Sequence, residues 1–213
     1  MASQQPLLGF DQVLVEAGAV NRKRRFDRAT GHLPGTMEKA VRFHRRQIKD
    51  HDAAMRAADI EGALAIRRQA HLMAVRVNHG DPGILASPDA PGCVLQTRCA
   101  APAGTIPLWG QQGRFTLNLH GVPILIALDG MFGLGGRYGP YLGFIATAVD
   151  YERPFISDTS FRSFLGGWLP VEPGITPEGF VTAVIAAHVS GAMRGKLRVI
   201  GLRYRPTPPT EPT

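Results

Sequence analysis

A chain of 213 residues, 44% of them hydrophobic, has enough apolar side chain for a core and does not have the composition of a disordered segment. It has only two cysteines, Cys93 and Cys99, spaced Cys-x5-Cys, too few for a disulfide scaffold or a zinc module, so reduced thiols are expected. The chain opens without a basic segment followed by an apolar one, and its long charge-free stretches, such as 115–128 and 179–193, are shorter than the ~20 residues that span a bilayer; a cytoplasmic protein with no membrane partner is expected.

Residues 6–20 are mildly apolar and read as a short strand or docking arm. Asn21-Arg-Lys-Arg-Arg-Phe-Asp-Arg28 follows with no apolar period, as an exposed basic arm that Pro34-Gly35 ends; residues 1–35 form this arm. Thr36 has the character of a helix N-cap, with Glu38 in the first turn. Met37, Val41, His44, Ile48 and Met55 then recur at helical spacing. Asp59 offers a second cap, and Ala63, Ile66, Ala70, Met73 and Val77 recur at steps of three and four up to Gly80, a C′ candidate. A turn near 58–60 would make 36–78 an antiparallel helical hairpin. Arg42, Arg45, Arg46 and Lys49 would point outward from its first helix, and Arg67, Arg68 and Arg76 from its second. His44 and His51, two turns apart, read as solvated or capping histidines, because a metal needs three or four converging ligands and no cysteine or paired carboxylate stands near.

Residues 81–92 carry the Pro and Gly of loops, and the character then changes to β. Residues 114–119 alternate, with Phe115, Leu117 and Leu119 on one face; His120-Gly121 is a turn candidate and 122–128 the return strand, Pro123 marking an edge or strand-start position. A strand is predicted over 141–149, a short helix capped by Ser157 or Asp158 through Phe164, a helix from Thr176-Pro177-Glu178 to about Met193, and a last strand over 197–204. The predicted fold class is α+β: an N-terminal helical hairpin packed on a small, mainly antiparallel sheet with a C-terminal helix. It forms one domain over 36–205, whose β-rich part is 93–205, followed by a disordered tail at 206–213.

Two segments invite a chemical reading. The run from Gly130 to Gly139 is rich in glycine, but Tyr138 stands where a dinucleotide loop needs its third glycine and no Walker lysine follows, so it reads as a flexible connection between strands. The polar run 150–162 places Asp150, Tyr151, Ser157, Asp158, Ser160 and Arg162 together at a strand end, where His120 could complete an acid–base or nucleophile arrangement. Tyr151, Phe155, Phe161 and Phe164 surround those polar groups, and Trp109 and Trp168 could join them. A helix cap plus a surface turn explains the same residues with fewer assumptions. No cofactor and no metal site is expected.

The charge distribution points to a partner. The net charge is +7, and residues 21–76 hold 14 basic and 6 acidic side chains while the rest of the chain holds 10 and 11. Pairs such as Arg46–Asp50 cannot neutralise a local surplus of that size. A concentrated positive field is a statement about polyanions: nucleic acid, or an acidic protein surface. The stretch 154–166, with Pro107-Leu-Trp-Gly110 and Asp129-Gly-Met-Phe-Gly133, resembles an uncharacterised family of bacterial proteins met near mobile-element genes. That resemblance brings no known activity and implies a bacterial, cytoplasmic setting. The leading expectation is a non-enzymatic accessory protein that binds nucleic acid or a nucleoprotein complex through Arg22, Lys23, Arg24, Arg25 and Arg28 of the arm and Arg42, Arg45, Arg46, Lys49, Arg67 and Arg68 of the hairpin. The alternatives are a protein-interaction module or inhibitor of a host complex, acting through the β-rich half, and an enzyme with its site around Asp150–Ser160.

Overall fold

A computed structural model of the protein describes residues 9–119, 121–133, 143–165 and 171–205. Among them the order of elements is α1 (Gly9–Thr30), α2 (Met37–Arg56), α3 (Ile60–Val77), α4 (Pro91–Arg98), β1 (Gly113–Leu119), β2 (Val122–Leu128), β3 (Phe144–Ala148), β4 (Phe161–Phe164) and α5 (Pro177–Ser190). The protein is α+β, with helices toward its N-terminus, a four-stranded antiparallel sheet in the order β1-β2-β3-β4, and a C-terminal helix.

The two hairpin helices form where the apolar spacing predicts them and pack along their length. Thr36 occupies the N-cap of α2 without a side-chain cap bond, whereas the Asp59 carboxylate accepts the Gly62 amide of α3 at 2.9 Å. The turn between them closes on Ala58, held at φ 56°. The Asp59 amide donates to Ala54 and the Ala58 amide to Met55, so the last carbonyls of α2 are satisfied without a glycine. The end of α3 repeats the motif one residue earlier than predicted. His79, at φ 56°, takes the left-handed C′ position, and Gly80 is the next residue, its amide bonded to the Val75 carbonyl. Of the predicted stripe on α3, Ala63, Ala70 and Met73 are fully buried, while Ile66 and Val77 are half-buried.

The sheet uses its alternation as predicted. Phe115, Leu117 and Leu119 of β1 are buried, as are Ile124, Ile126 and Leu128 of β2. The β1–β2 register pairs Leu119 with Val122 and Asn118 with Pro123, so Pro123 stands near the start of β2, beyond the reach of the β3 pairing that begins at Ile124. Gly121, at φ 80°, gives its amide to the Asn118 side chain; His120 lies outside the described residues. On this inner face lie Phe180, Val181, Val184 and Ile185 of α5, whose Thr176 cap accepts the Gly179 amide at 3.0 Å. A second apolar cluster joins Val41 and Ile48 of α2 to Met73 and Ala74 of α3, Leu95 of α4, and Met131 and Phe132 after β2.

Four elements differ from the sequence reading. Residues 9–30 form one helix in place of a short strand and an arm; good helix formers without an apolar face leave no periodic signal. Residues 91–98, expected as a loop end leading into β structure, form α4, which Pro91 starts and whose eight residues are too few to display a period. The segment from Ser157 to Phe164 is not a helix. The Ala148 amide bonds to Ser160, and β4 pairs with β3, its Phe164 ring stacked on Phe144 at 4.7 Å. Tertiary pairing overrides the local cap signal there. Residues 197–204 make one bridge, Arg198 with Phe155, then a 3-10 turn at Leu202–Tyr204, in place of a strand. The tail at 206–213 lies outside the described residues.

Cys93 is half-buried on α4, Cys99 is buried just after it, and neither is bridged. Burial pushes the Cys99 thiol up from its ordinary range. A thiol reagent should therefore modify Cys93 quickly and Cys99 only on unfolding, giving two groups in denaturant; equal rates in the native protein would refute the placement of α4. Met73→Ala should cost about 2–5 kcal/mol in urea unfolding, and Ile66→Ala less, because only Met73 leaves a closed cavity.

Candidate nucleic-acid interface

The surplus charge sits mainly on helix surfaces. Arg22, Lys23, Arg24, Arg25 and Arg28 are all exposed on the last turns of α1, where one helix displays them in several directions. Arg42, Arg45, Arg46 and Lys49 are exposed along α2 at steps of three, one and three, which is one stripe opposite its buried face. Arg68 is exposed on α3. Among the described residues none of these ten side chains is paired with a carboxylate; the ion pairs present are Arg56–Asp52, Arg153–Asp150 and Arg205–Glu152. The predicted Arg46–Asp50 pair is not made; the Arg46 guanidinium instead lies 5.4 Å from the centre of the Phe43 ring. Arg45 donates to the Arg98 carbonyl at the end of α4 (3.2 Å).

Arg67 departs from the expected outward set. It is 4% exposed, and one of its donors reaches the Met131 carbonyl at 3.4 Å. Burial lowers its pKa to about 10, still far above neutrality. It therefore joins the hairpin to the segment after β2 and is not available to a phosphate.

The histidines also depart from the reading. His44 and His51 are buried, at 1% and 0% exposure, on the inner face of α2. The His44 ring stacks on Phe132 at 5.2 Å, and its Nδ1 meets the Gln47 amide oxygen at 3.4 Å. Gln47 passes the contact to Gln69 of α3 (3.2 Å). Neither ring nitrogen of His51 has a hydrogen-bond partner, and the Trp109 backbone lies near it outside good hydrogen-bond geometry. Gly110, at φ 80°, makes this approach possible: a Cβ there would stand 2.9 Å from His51 Nδ1. Burial lowers both histidines to about 4, and for His51 the nearby Arg67 charge adds to the effect. Both are neutral at pH 7 and structural. Sequence spacing placed them on one side; only packing shows that side to be the interior. Among the described residues no group of three or more His, Cys, Asp or Glu side chains could hold a metal.

A cleft of about 700 Å³ opens between α1 and the C-terminal end of α3. Arg22, Lys23, Phe26 and Asp27 line it from α1, Arg76 and His79 from the other side. Arg76 donates to the Thr30 hydroxyl at 3.1 Å, and that hydroxyl donates to the Phe26 carbonyl at 2.8 Å, so this contact ties the two helices together. The sequence reading pointed to Arg22, Lys23 and Arg76 separately; what it missed is that α1 lays two of them beside the third.

The polar run of the β-rich half is a hydrogen-bonded turn. Asp150 pairs with Arg153 at 3.2 Å and accepts the Glu152 amide. The Ser157 hydroxyl meets Thr159 Oγ1 at 2.9 Å and accepts the Thr159 amide. Asp158 is exposed, Ser160 is half-buried at the β3–β4 turn, and Arg162 lies over the Phe164 ring at 5.9 Å. Tyr151 packs against the sheet core beside the buried Phe155, whereas Phe161 is exposed. His188 of α5 reaches the Ile156 carbonyl at 3.1 Å, so its Nε2 is engaged by backbone. Gly133 packs so closely that a Cβ would meet Asp129 Cβ at 2.5 Å; residues 134–142 of the glycine-rich run and Trp168 lie outside the described residues.

Comparison with known proteins gives two partial matches, both named Protein KlcB and both from Escherichia coli. One is 36% identical over 107 residues, covering 49% of this chain and 25% of the relative. The other is 30% identical over 142 residues, covering 65% of this chain and 29% of the relative. The chain is thus similar to a bacterial protein and spans less than a third of the length of the curated relatives it matches. No family model and no solved structure matches it. No described helix is long and apolar enough to cross a membrane.

The buried histidines make stability depend on pH. Their folded pKa of about 4 lies below the ordinary 6.5, so the unfolded chain binds more protons between those values. Stability is complete above pH 6.5 and falls as pH drops toward 4, by up to roughly 1.4 kcal/mol per pH unit for each histidine. Urea unfolding from pH 7 to 5, above the titration of ordinary carboxylates, should show the fall, and His51→Leu should reduce it. A level profile would contradict the burial of both rings.

Proposed function

We propose that the protein is an accessory factor that binds nucleic acid, or a nucleoprotein complex, through the C-terminal half of α1 and the outward faces of the hairpin. The observation that carries this reading is the set of ten exposed cations on α1, α2 and α3 without a carboxylate partner among the described residues. An unneutralised cation on a helix surface keeps its charge for a phosphate, and each phosphate contact releases condensed counterions. The contacts of this reading are to backbone phosphate, which position a protein on nucleic acid without selecting sequence. Arg67 has no part in it. The mobile-element setting implied by the sequence resemblance, and a cytoplasmic location, belong to the same proposal. The hydrogen-bonded turn at Asp150–Ser160 gives the enzymatic alternative less support, since the Asp150 carboxylate and the Ser157 hydroxyl are engaged within that segment and Glu152 pairs with Arg205.

Fluorescence anisotropy across a salt series tests the reading. With about five phosphate contacts, affinity for duplex should fall on the order of 500-fold between 50 and 200 mM salt. Arg22, Lys23, Arg24 and Arg25 changed together to Ala should weaken binding and flatten the slope. Alanine sustains a helix and these residues are exposed, so folding should be preserved. No binding at micromolar protein in low salt would reject the proposal.

A further inference from the structure

The cleft between α1 and the end of α3 differs from the arginine stripe of α2. A stripe offers cations alone, but the cleft brings cations from two helices together with an aromatic ring and a positioned guanidinium. It is an open cleft of about 700 Å³, wide enough to admit one nucleotide from solvent. The Arg76 guanidinium is held by Thr30, while its Nε, beside Gly35, has no hydrogen-bond partner. Arg22 and Lys23 add two exposed charges from the facing helix. His79 is carried by the left-handed turn that ends α3. Phe26 is half-buried: it packs against the hairpin core and beside Gly80, and it also lines the cleft. Asp27, the one carboxylate among the described lining residues, is unsuited to a bare phosphate but can accept a hydrogen bond from an exocyclic amine of a base.

Cations for a phosphate, a ring for stacking and an acceptor for a base edge are the complement of a nucleotide. In a duplex the bases are stacked inside and only the phosphate rim and groove edges reach a protein. An unpaired strand can place a base and its phosphate together in a cleft of this size. We propose that this cleft seats one unpaired nucleotide, so that the protein prefers single-stranded nucleic acid to duplex. The proposal rests on the phosphate-binding reading above and adds the substrate class.

The experiment uses the full chain with labelled dC and rC oligonucleotides, whose bases carry an exocyclic amine, and an unrelated duplex, at one low salt concentration. The unmodified protein should bind at least one of the two single strands more tightly than the duplex. Phe26→Leu keeps an apolar side chain against the core but removes the stacking face. His79→Gly removes the imidazole and suits a φ of 56°. Both should weaken the preferred single strand by at least about fivefold, the lower end of a lost base–aromatic stack, and change duplex binding much less. Circular dichroism checks that each variant keeps its helices. Equal losses for single strand and duplex, no loss in either variant, or a preference for duplex would overturn the cleft as a nucleotide site while leaving the charged surface as the interface. Failure of the unmodified protein to bind any probe would reject the interface itself, and the cleft with it.

Discussion

The carboxylate of Asp52 is the contact on which the arrangement of the two halves depends. It lies on the inner side of α2, nearly buried, and divides its oxygens between two partners. One accepts the Trp109 backbone amide at 3.0 Å, the other the Arg56 guanidinium at 2.8 Å. The Trp109 indole in turn donates to the Ile175 carbonyl at 2.9 Å, and its ring meets the Phe180 edge at 5.4 Å. The Gly174 amide closes the circuit on the Arg56 carbonyl. One acidic side chain thus links the helical hairpin, the loop before the sheet and the entry to α5. A buried carboxylate is costly unless its lone pairs are satisfied, and here an amide and a cation satisfy them.

Around this link the interior of α2 is unusually polar. His44, Gln47, His51 and Asp52 occupy positions that a simple hairpin would give to leucine. A side chain on that face must find a partner across the seam, and most do: Gln47 with Gln69, Asp52 with Trp109, and Arg67 with the Met131 carbonyl. His51 is the exception, held neutral by burial and by the charge of Arg67. Such a seam favours one register of the hairpin against the β-rich half, because a shift by one residue would bury several polar groups without partners.

The basic surface is the other side of the same helices. On α2, the residues that face the seam and those that carry the positive stripe alternate around one cylinder, so folding separates them automatically. On α1 no such separation occurs. Val13, Leu14, Val15 and Val20 are exposed on it, and it attaches to the hairpin near its end, through Thr30 and the half-buried Phe26. Attachment on those turns keeps Arg24, Arg25 and Arg28 exposed to solvent beside the hairpin and sets Arg22 and Lys23 along the cleft.

The α+β class, the hairpin helices and the β1–β2 register were legible in the sequence, because each rests on a local rule. Apolar steps of three and four over 63–77 admit a helix, alternation over 115–119 admits a strand with one buried face, and Thr176-Pro177-Glu178 begins a helix wherever it is placed. The charge surplus was legible for the same reason, since formal charge is summed without knowing the fold. Other features were settled by partners distant in the chain. The strand at Phe161–Phe164 exists because β3 offers an edge, and residues 197–204 are left without one beyond a single bridge. The interior placement of Arg67, His44 and His51 follows from what covers them, Met131, Phe132 and Gly110, each more than fifty residues away. Composition marks a residue as polar, and periodicity places it on a face. Whether that face meets water or another layer of protein is decided only when the layers pack.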